Sequence, residues 1–175
     1  KFNIDELDFI CKTILKHERI THFQLSLNDF QARHCEIIST LLKQTKTLVD
    51  LNLRDNKIGI QGLENILSGL IENKTLQKLN LDNNRLFNKG CAIILKHLLE
   101  NNNSLLALRL RNNGINSEGC ELIASCLMNN SSLKEIDLSD NDFTKDRVTK
   151  AFVVSLFENN SIIELALTPK LSWDT

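Results

Sequence analysis

The chain has 175 residues, of which 42% are hydrophobic, and its 21 basic and 22 acidic side chains leave a formal net charge of −1. This length and composition predict a single domain over residues 1–175 with a continuous apolar core. The nearly neutral charge, the lack of tyrosine and the single tryptophan argue against nucleic acid as a partner. No apolar run approaches the ~18 residues of a membrane span, so we also expect no insertion into a membrane.

Residues 1–19 precede the first strand motif and have the character of a helix. Leu7, Ile10 and Ile14 are spaced three and four residues apart, which places them on one helical face. We therefore predict that residues 1–19 form a helical half-repeat or an N-terminal cap.

From Ile20 onward the chain repeats itself every 28 or 29 residues. Each repeat opens with apolar residues at its first, fourth and sixth positions, and the last two of these have the spacing of a strand. The openings begin at Ile20, Leu48, Leu76, Leu105 and Leu133, with a weaker sixth opening at Ile162. We predict five full repeats over residues 20–161 and a degenerate, incomplete repeat over residues 162–175.

The second half of each repeat is predicted to be helical, as Leu63, Ile66 and Leu70 illustrate by their spacing. A strand followed by a helix and then by a strand in the same direction gives a parallel sheet with right-handed crossovers. Strands pack about 4.8 Å apart and helices about 8–10 Å apart, so the stack must bend with its strands inside. The predicted fold is an α/β right-handed solenoid, a horseshoe arc with a concave parallel sheet and convex helices.

Two sets of asparagines recur along the chain. The ninth position of each opening is Asn28, Asn56, Asn84, Asn113 or Asn141, where the chain leaves a strand with unpaired backbone groups. We expect these buried amides to pair with those groups. A second set follows the helices in the stretches Asn73-Lys-Thr, Asn101-Asn-Asn-Ser, Asn129-Asn-Ser-Ser and Asn159-Asn-Ser, and for these asparagines we predict the left-handed conformation that ends many helices.

Five cysteines are present, and Cys35, Cys91 and Cys120 occupy the same position in their repeats. This placement predicts compact apolar side chains that pack in the core, and reduced thiols favour a cytoplasmic location. The competing interpretation is a metal site, because His34 adjoins Cys35, but the chain has no C-x-x-C pair. We expect neither a metal nor a cofactor.

No catalytic motif is found: the chain lacks a phosphate-binding G-x-x-x-x-G-K-[ST], G-x-G-x-x-G, G-x-S-x-G and H-E-x-x-H. The histidines are scattered over different parts of the repeats. We therefore predict that the chain is not an enzyme.

The residues that alternate with the buried leucines should line the inner face of the arc. This set is polar and charged, and it supplies the candidate protein-binding residues Asp50, Asn52, Arg54, Lys78, Asn80, Asp82, Arg109, Arg111, Glu135, Asp137 and Ser139. Arg109 and Arg111 are expected to project side by side, with Asp82 and Asp137 on the neighbouring strands. Two interpretations stay open, a solvated ladder of ion pairs and a recognition patch for another protein.

The openings follow the pattern L-x-x-L-x-L-x-x-N, which resembles a leucine-rich repeat, and the long repeats with helical second halves resemble the ribonuclease-inhibitor-like subclass. The resemblance implies a non-enzymatic module for protein–protein interaction, alone or within a longer adaptor, receptor or effector. One alternative is a bacterial effector that acts on a host protein in the host cytosol. Another is a regulatory function of the Ran GTPase activator type, to which Arg54, Arg109 and Arg111 could contribute electrostatically without a matching motif.

Overall fold

The computed structural model describes residues 1–17, 19–94 and 102–168. In this part of the chain helices and strands alternate without interruption. They are α1 (Ile4–Lys16), β1 (His22–Gln24), α2 (Ala32–Gln44), β2 (Asp50–Asn52), α3 (Gly59–Glu72), β3 (Lys78–Asn80), α4 (Phe87–Ile94), β4 (Ala107–Arg109), α5 (Ser117–Leu127), β5 (Glu135–Asp137), α6 (Lys145–Glu158) and β6 (Glu164–Ala166).

The strands form one open parallel sheet in the order β1 to β6. The register places equivalent repeat positions side by side, so that Leu51 lies beside Leu79 and Leu79 beside Leu108. Strand, helix and strand follow one another along the whole sheet. The predicted α/β solenoid is therefore confirmed.

The core lies between the sheet and the helices. In the second repeat, Leu48, Leu51 and Leu53 are fully buried, and the same three positions of the next three repeats are at most 2% exposed. Leu63 and Ile66 of α3 are also fully buried, so the apolar stripes of strands and helices meet as predicted. Each such side chain contributes about 1.5–3 kcal/mol by its burial.

Helix α1 covers the first full repeat by packing on α2. It begins with a capping box, in which the Asn3 side chain accepts a hydrogen bond from the Glu6 backbone N–H and the Glu6 side chain accepts one from the Asn3 backbone N–H, each of 2.9 Å. Leu7 and Ile14 are buried and Ile10 is partly buried. A half-repeat or cap remains our interpretation of residues 1–19. The predicted C-terminal segment is seen as far as β6, and residues 169–175 lie outside the described part.

The ninth-position asparagines pair with backbone groups, as predicted. Asn84 is fully buried, and its Nδ2 donates to the carbonyls of Leu53, Leu81 and Asp82 at 2.9, 3.1 and 3.0 Å. Its own backbone N–H donates to Asn113 Oδ1 at 2.9 Å. The same kind of bonding is made by Asn28, Asn56, Asn113 and Asn141. We call these five residues the first asparagine row.

The asparagines after the helices have a different role from the predicted one. Asn73 has φ −78° and ψ 134°, an extended conformation, so the prediction of a left-handed helix end is wrong there. Its Oδ1 accepts the N–H groups of Thr75 and Leu76 at 2.9 and 2.7 Å, and its Nδ2 donates to the Leu42 carbonyl at 2.7 Å. Asn159 is extended in the same way and also bonds to carbonyls of the preceding repeat.

Four asparagines accept the backbone N–H three residues further on with their Oδ1, and we call them the second asparagine row: Asn73, Asn102, Asn130 and Asn159. Asn101, which the sequence had singled out, lies outside the described residues, and Asn129 is exposed. Left-handed residues do recur, but at the eighth position of the first five openings, in the turn after the strand. They are Leu27, Asp55, Asn83, Asn112 and Asp140, with φ between 49° and 62°.

Helices α2 and α3 pack so closely that they leave no room for a side chain at Gly69. A Cβ atom added to Gly69 of α3 would lie only 2.6 Å from the Ser39 carbonyl oxygen of α2. Cys35, Cys91 and Cys120 are fully buried and unbridged, which confirms their predicted packing role. Burial raises the pKa of each of these thiols to about 12.

Among the described helices, none has the length and apolar character required to cross a membrane. Nor does the described part of the chain contain a cluster of three or more metal-ligating side chains.

Candidate functional site: the concave face

The concave face is the side of the sheet that points away from the helices. Strands β2 to β5 bury their middle residues, Leu51, Leu79, Leu108 and Ile136, so the first and third residues of each point away from the core. The register aligns these outward residues in two rows across the sheet. One row contains Asp50, Lys78, Ala107 and Glu135, and the other contains Asn52, Asn80, Arg109 and Asp137.

An open depression of about 230 Å³ lies at the centre of the concave face. It brings together six of the predicted residues, and its full lining is Gln24, Asp50, Asn52, Lys78, Leu79, Asn80, Ala107, Arg109 and Glu135. Ala107 is only 6% exposed and lies in register beside Lys78 on one side and Glu135 on the other. Because its side chain is a single methyl group, the floor of the face is lowest there. Ala107 was not among the candidate residues, because a methyl group offers neither a charge nor a hydrogen bond.

Side chains at the ends of the strands also shape the turns that follow. Asn80 Oδ1 accepts the Asp82 N–H at 2.9 Å, and Asn52 Oδ1 accepts the Arg54 N–H at 3.0 Å. Asp137 Oδ1 accepts the Ser139 N–H at 2.9 Å in the same way. These are side-chain bonds to the backbone two residues further on, which stabilise tight turns. Asn52 Nδ2 also donates to Gln24 Oε1 at 2.7 Å, which joins two strands of the face.

Arg54 and Arg111 lie beyond the strands, beside the turns. Arg111 Nε donates to Asp140 Oδ2 at 2.6 Å, and this carboxylate raises the pKa of the guanidinium. Arg54 Nε donates to Asp55 Oδ2 at 2.9 Å. The sequence did not predict this partner of Arg111, whose side chain pairs with the loop of the next repeat, while Asp82 and Asp137 act on the guanidinium from a greater distance.

Asp82 is 3% exposed, although the sequence placed it among the surface residues. Its Oδ1 accepts the backbone N–H of Arg111 at 2.9 Å, so it links two neighbouring turns. Burial raises the pKa of this carboxyl, although the Arg111 N–H and the nearby charges of Arg109 and Arg54 act in the opposite direction.

Lys78 and Arg109 differ from the other cations of this region. Both side chains are exposed and line the depression. Within the described part of the chain, neither makes a side-chain hydrogen bond or an ion pair, whereas Arg54 and Arg111 are each held by an aspartate. These two cations are therefore available to a ligand.

A second exposed surface was missed by the sequence analysis. Helix α6 buries Val148 and Phe152, but Val153, Val154 and Phe157 are 62%, 60% and 85% exposed. The signal was present in the sequence, because these three residues do not fit the helical stripe of Val148 and Phe152.

Comparisons with known proteins agree with this architecture. A family model for the leucine-rich repeat matches residues 45–67, 101–124 and 129–146. A search of curated protein sequences found no significant match. The predicted resemblance to leucine-rich repeats is thereby confirmed.

Two solved structures are similar in fold. One is titled Leiomodin-1 Actin-Binding Site 2; it has a TM-score of 0.68 and 21% sequence identity, and the match covers 90% of this chain and 92% of that one. The other is the tropomodulin C-terminal domain of Caenorhabditis elegans, with a TM-score of 0.65, 16% identity, and coverage of 77% of this chain and 82% of that one. At these identities the similarity concerns the fold.

Proposed function

We propose that this leucine-rich-repeat protein is a non-enzymatic module that binds another protein on its concave face. The observation that carries the proposal is the depression around Ala107, where the exposed cations Lys78 and Arg109 have no partner among the described residues. Charged side chains that the fold does not use can determine the choice and orientation of a partner through electrostatic complementarity. We propose a cytoplasmic location, in keeping with the buried, unbridged cysteines.

The binding residues that we propose are the predicted set without Asp82. Asp50, Asn52, Lys78, Asn80, Arg109 and Glu135 line the depression, while Arg54, Arg111, Asp137 and Ser139 lie around it. No observation of its own favours a GTPase-activating role, since Arg54 and Arg111 are held by Asp55 and Asp140. The roles of adaptor and of bacterial effector are more specific forms of the same binding function.

The proposal is tested by filling the depression without changing its charge. In the Ala107→Phe variant a bulky ring would occupy the floor of the concave face. The matched control is Ser125→Phe, which places the same ring at an exposed position of α5 on the convex side. Proteins captured from cell lysate by immobilised wild type and by both variants would be compared by quantitative mass spectrometry. Purified actin is the first defined probe, because one structure of similar fold is titled as an actin-binding site.

We expect a subset of captured proteins to be lost with Ala107→Phe and retained with Ser125→Phe. Thermal unfolding of both variants must show that they remain folded. Equal capture by the wild type and both folded variants would contradict a binding role for the concave face.

A further inference from the structure

The two free cations of the concave face lie close enough to act together. Lys78 is in register with Ala107, and Arg109 lies two residues further along the same strand. From the spacing of strands and of residues within a strand, the Cα atoms of Lys78 and Arg109 are about 8 Å apart. Their long side chains can both reach a group placed above the Ala107 methyl.

Neither cation forms an ion pair within the described part of the chain. The carboxylates on the neighbouring strands, Asp50, Glu135 and Asp137, form no ion pair with them. By contrast, Asp55 and Asp140 each hold one of the arginines at the edge of the face. Lys78 and Arg109 therefore keep their hydrogen-bond donors free, and a guanidinium offers these donors in a planar arrangement that fits a carboxylate.

The surroundings favour a ligand with a single negative charge. Asp50 and Glu135 line the same depression, and the buried Asp82 lies within electrostatic range of Arg109. A doubly charged phosphate would be repelled by these carboxylates more strongly than a carboxylate would. Asn80 adds a neutral amide next to Arg109 in the same row of the face.

We infer that the depression around Ala107 binds an aspartate or glutamate side chain of the protein partner, held between Lys78 and Arg109. This inference rests on the proposed function, since it specifies the chemistry of the partner at the same site. The bound carboxylate would take the place that a longer side chain at position 107 would otherwise fill.

The test uses a random-peptide phage library selected on the immobilised wild-type chain. Selected peptides would be synthesised with amidated C-termini, so that the only carboxylates are those of side chains. Their affinities would be measured by fluorescence anisotropy for the wild type and the Lys78→Ala, Arg109→Ala double variant. The control is the Arg33→Ala, Lys46→Ala double variant, which removes the same charge at exposed positions of α2 and of the loop that follows it.

We expect the selected peptides that no longer bind the Ala107→Phe variant to share an acidic residue. Replacing that residue with its amide should weaken binding to the wild type at least ~10-fold, as should the Lys78→Ala, Arg109→Ala change. Combining the two changes should add little further, because both remove the same interaction. The control variant should bind as the wild type does.

Two results would overturn the inference. In the first, the selected peptides fail to bind the Ala107→Phe variant but bind the Lys78→Ala, Arg109→Ala variant as tightly as the wild type. This result would refute the carboxylate site and leave concave-face binding intact. If no selected peptide is sensitive to Ala107→Phe, the carboxylate site is refuted. The proposed function is judged separately by the capture of proteins and by actin.

Discussion

The interior of the solenoid and its concave face are built from the same short strands, yet the repeats constrain them differently. In β2, β3 and β4 the middle residue is leucine each time, whereas the first residue changes from Asp50 to Lys78 to Ala107. Each interior residue must fit its counterparts in both neighbouring repeats, and outward residues face no such requirement. Recurrence along this chain therefore marks structure, while variation at the outward positions marks the surface available for recognition.

Among the polar residues, the largest expected effect comes from the interior, in the variant Asn84→Ala. The change would remove three hydrogen bonds to the carbonyls of Leu53, Leu81 and Asp82 in a fully buried place. It would also remove the acceptor of the Ile58 backbone N–H. We expect the free energy of unfolding to fall by about 3 kcal/mol, measured by urea denaturation. Asn129→Ala is the matched control, because Asn129 is exposed. If both variants unfolded at the same urea concentration, the first asparagine row would have no special role.

A second interior prediction concerns the contact between α2 and α3. Gly69→Ala should lower the free energy of unfolding by about 2 kcal/mol, because the added methyl would overlap the Ser39 backbone. On helix propensity alone, the same change would stabilise an exposed helix by about 1 kcal/mol. Chemical denaturation distinguishes these two outcomes. A variant more stable than the wild type would show that α2 and α3 can move apart at little cost in free energy.

Asp82 lies at the boundary between interior and face, and its pKa leads to a smaller, pH-dependent effect. Because the pKa is raised above its ordinary value of 3.8, the folded protein binds this proton more tightly than the unfolded chain does. The contribution of Asp82 to stability is thus greatest below pH 3.8 and declines as the pH rises through the raised pKa.

Asp82→Asn removes this pH dependence and keeps an oxygen to accept the Arg111 N–H. The difference in stability between variant and wild type should therefore shift in favour of the variant as the pH increases from 3.8 toward 7. Urea denaturation over this pH range provides the measurement. A constant difference would mean that the Asp82 carboxyl titrates alike in both states.

The smallest effect on stability is expected on the face itself. The Lys78→Ala, Arg109→Ala variant should unfold within about 0.5 kcal/mol of the wild type, because both side chains are exposed and neither makes a hydrogen bond or an ion pair with a described residue. Leu79→Ala, in the same strand as Lys78 but buried, should cost about 2–5 kcal/mol. Should the double variant prove as unstable as Leu79→Ala, the separation between interior and face would have to be abandoned.

The periodicity of the sequence predicted those parts of the fold that depend on stacking alone. The buried leucines, the parallel sheet and the first asparagine row all follow from a residue type recurring at one repeat position. The second asparagine row was noticed but misinterpreted, because the backbone conformation after a helix depends on the Leu42, Leu70 and Leu127 carbonyls of the preceding repeat.

The candidate site was predicted less completely. Six residues of the depression were found from alternation, but the partner of Arg111 was not, since Asp140 lies in a turn whose geometry has no period-two signal. The burial of Asp82 was also missed, because it depends on the neighbouring Arg111 backbone. Predicting side-chain contacts between turns requires coordinates, whereas the spacing of apolar residues is enough to predict which residues share a strand face.

The bonds of the asparagine rows reach from one repeat into the next, as those from Asn84 to the Leu53 carbonyl and from Asn102 to the Leu70 carbonyl do. Unfolding one repeat of the solenoid therefore breaks hydrogen bonds that also hold the neighbouring repeat. Local unfolding that begins in one repeat must break these shared hydrogen bonds. We therefore expect backbone amides several repeats apart to exchange with solvent as one cooperative unit.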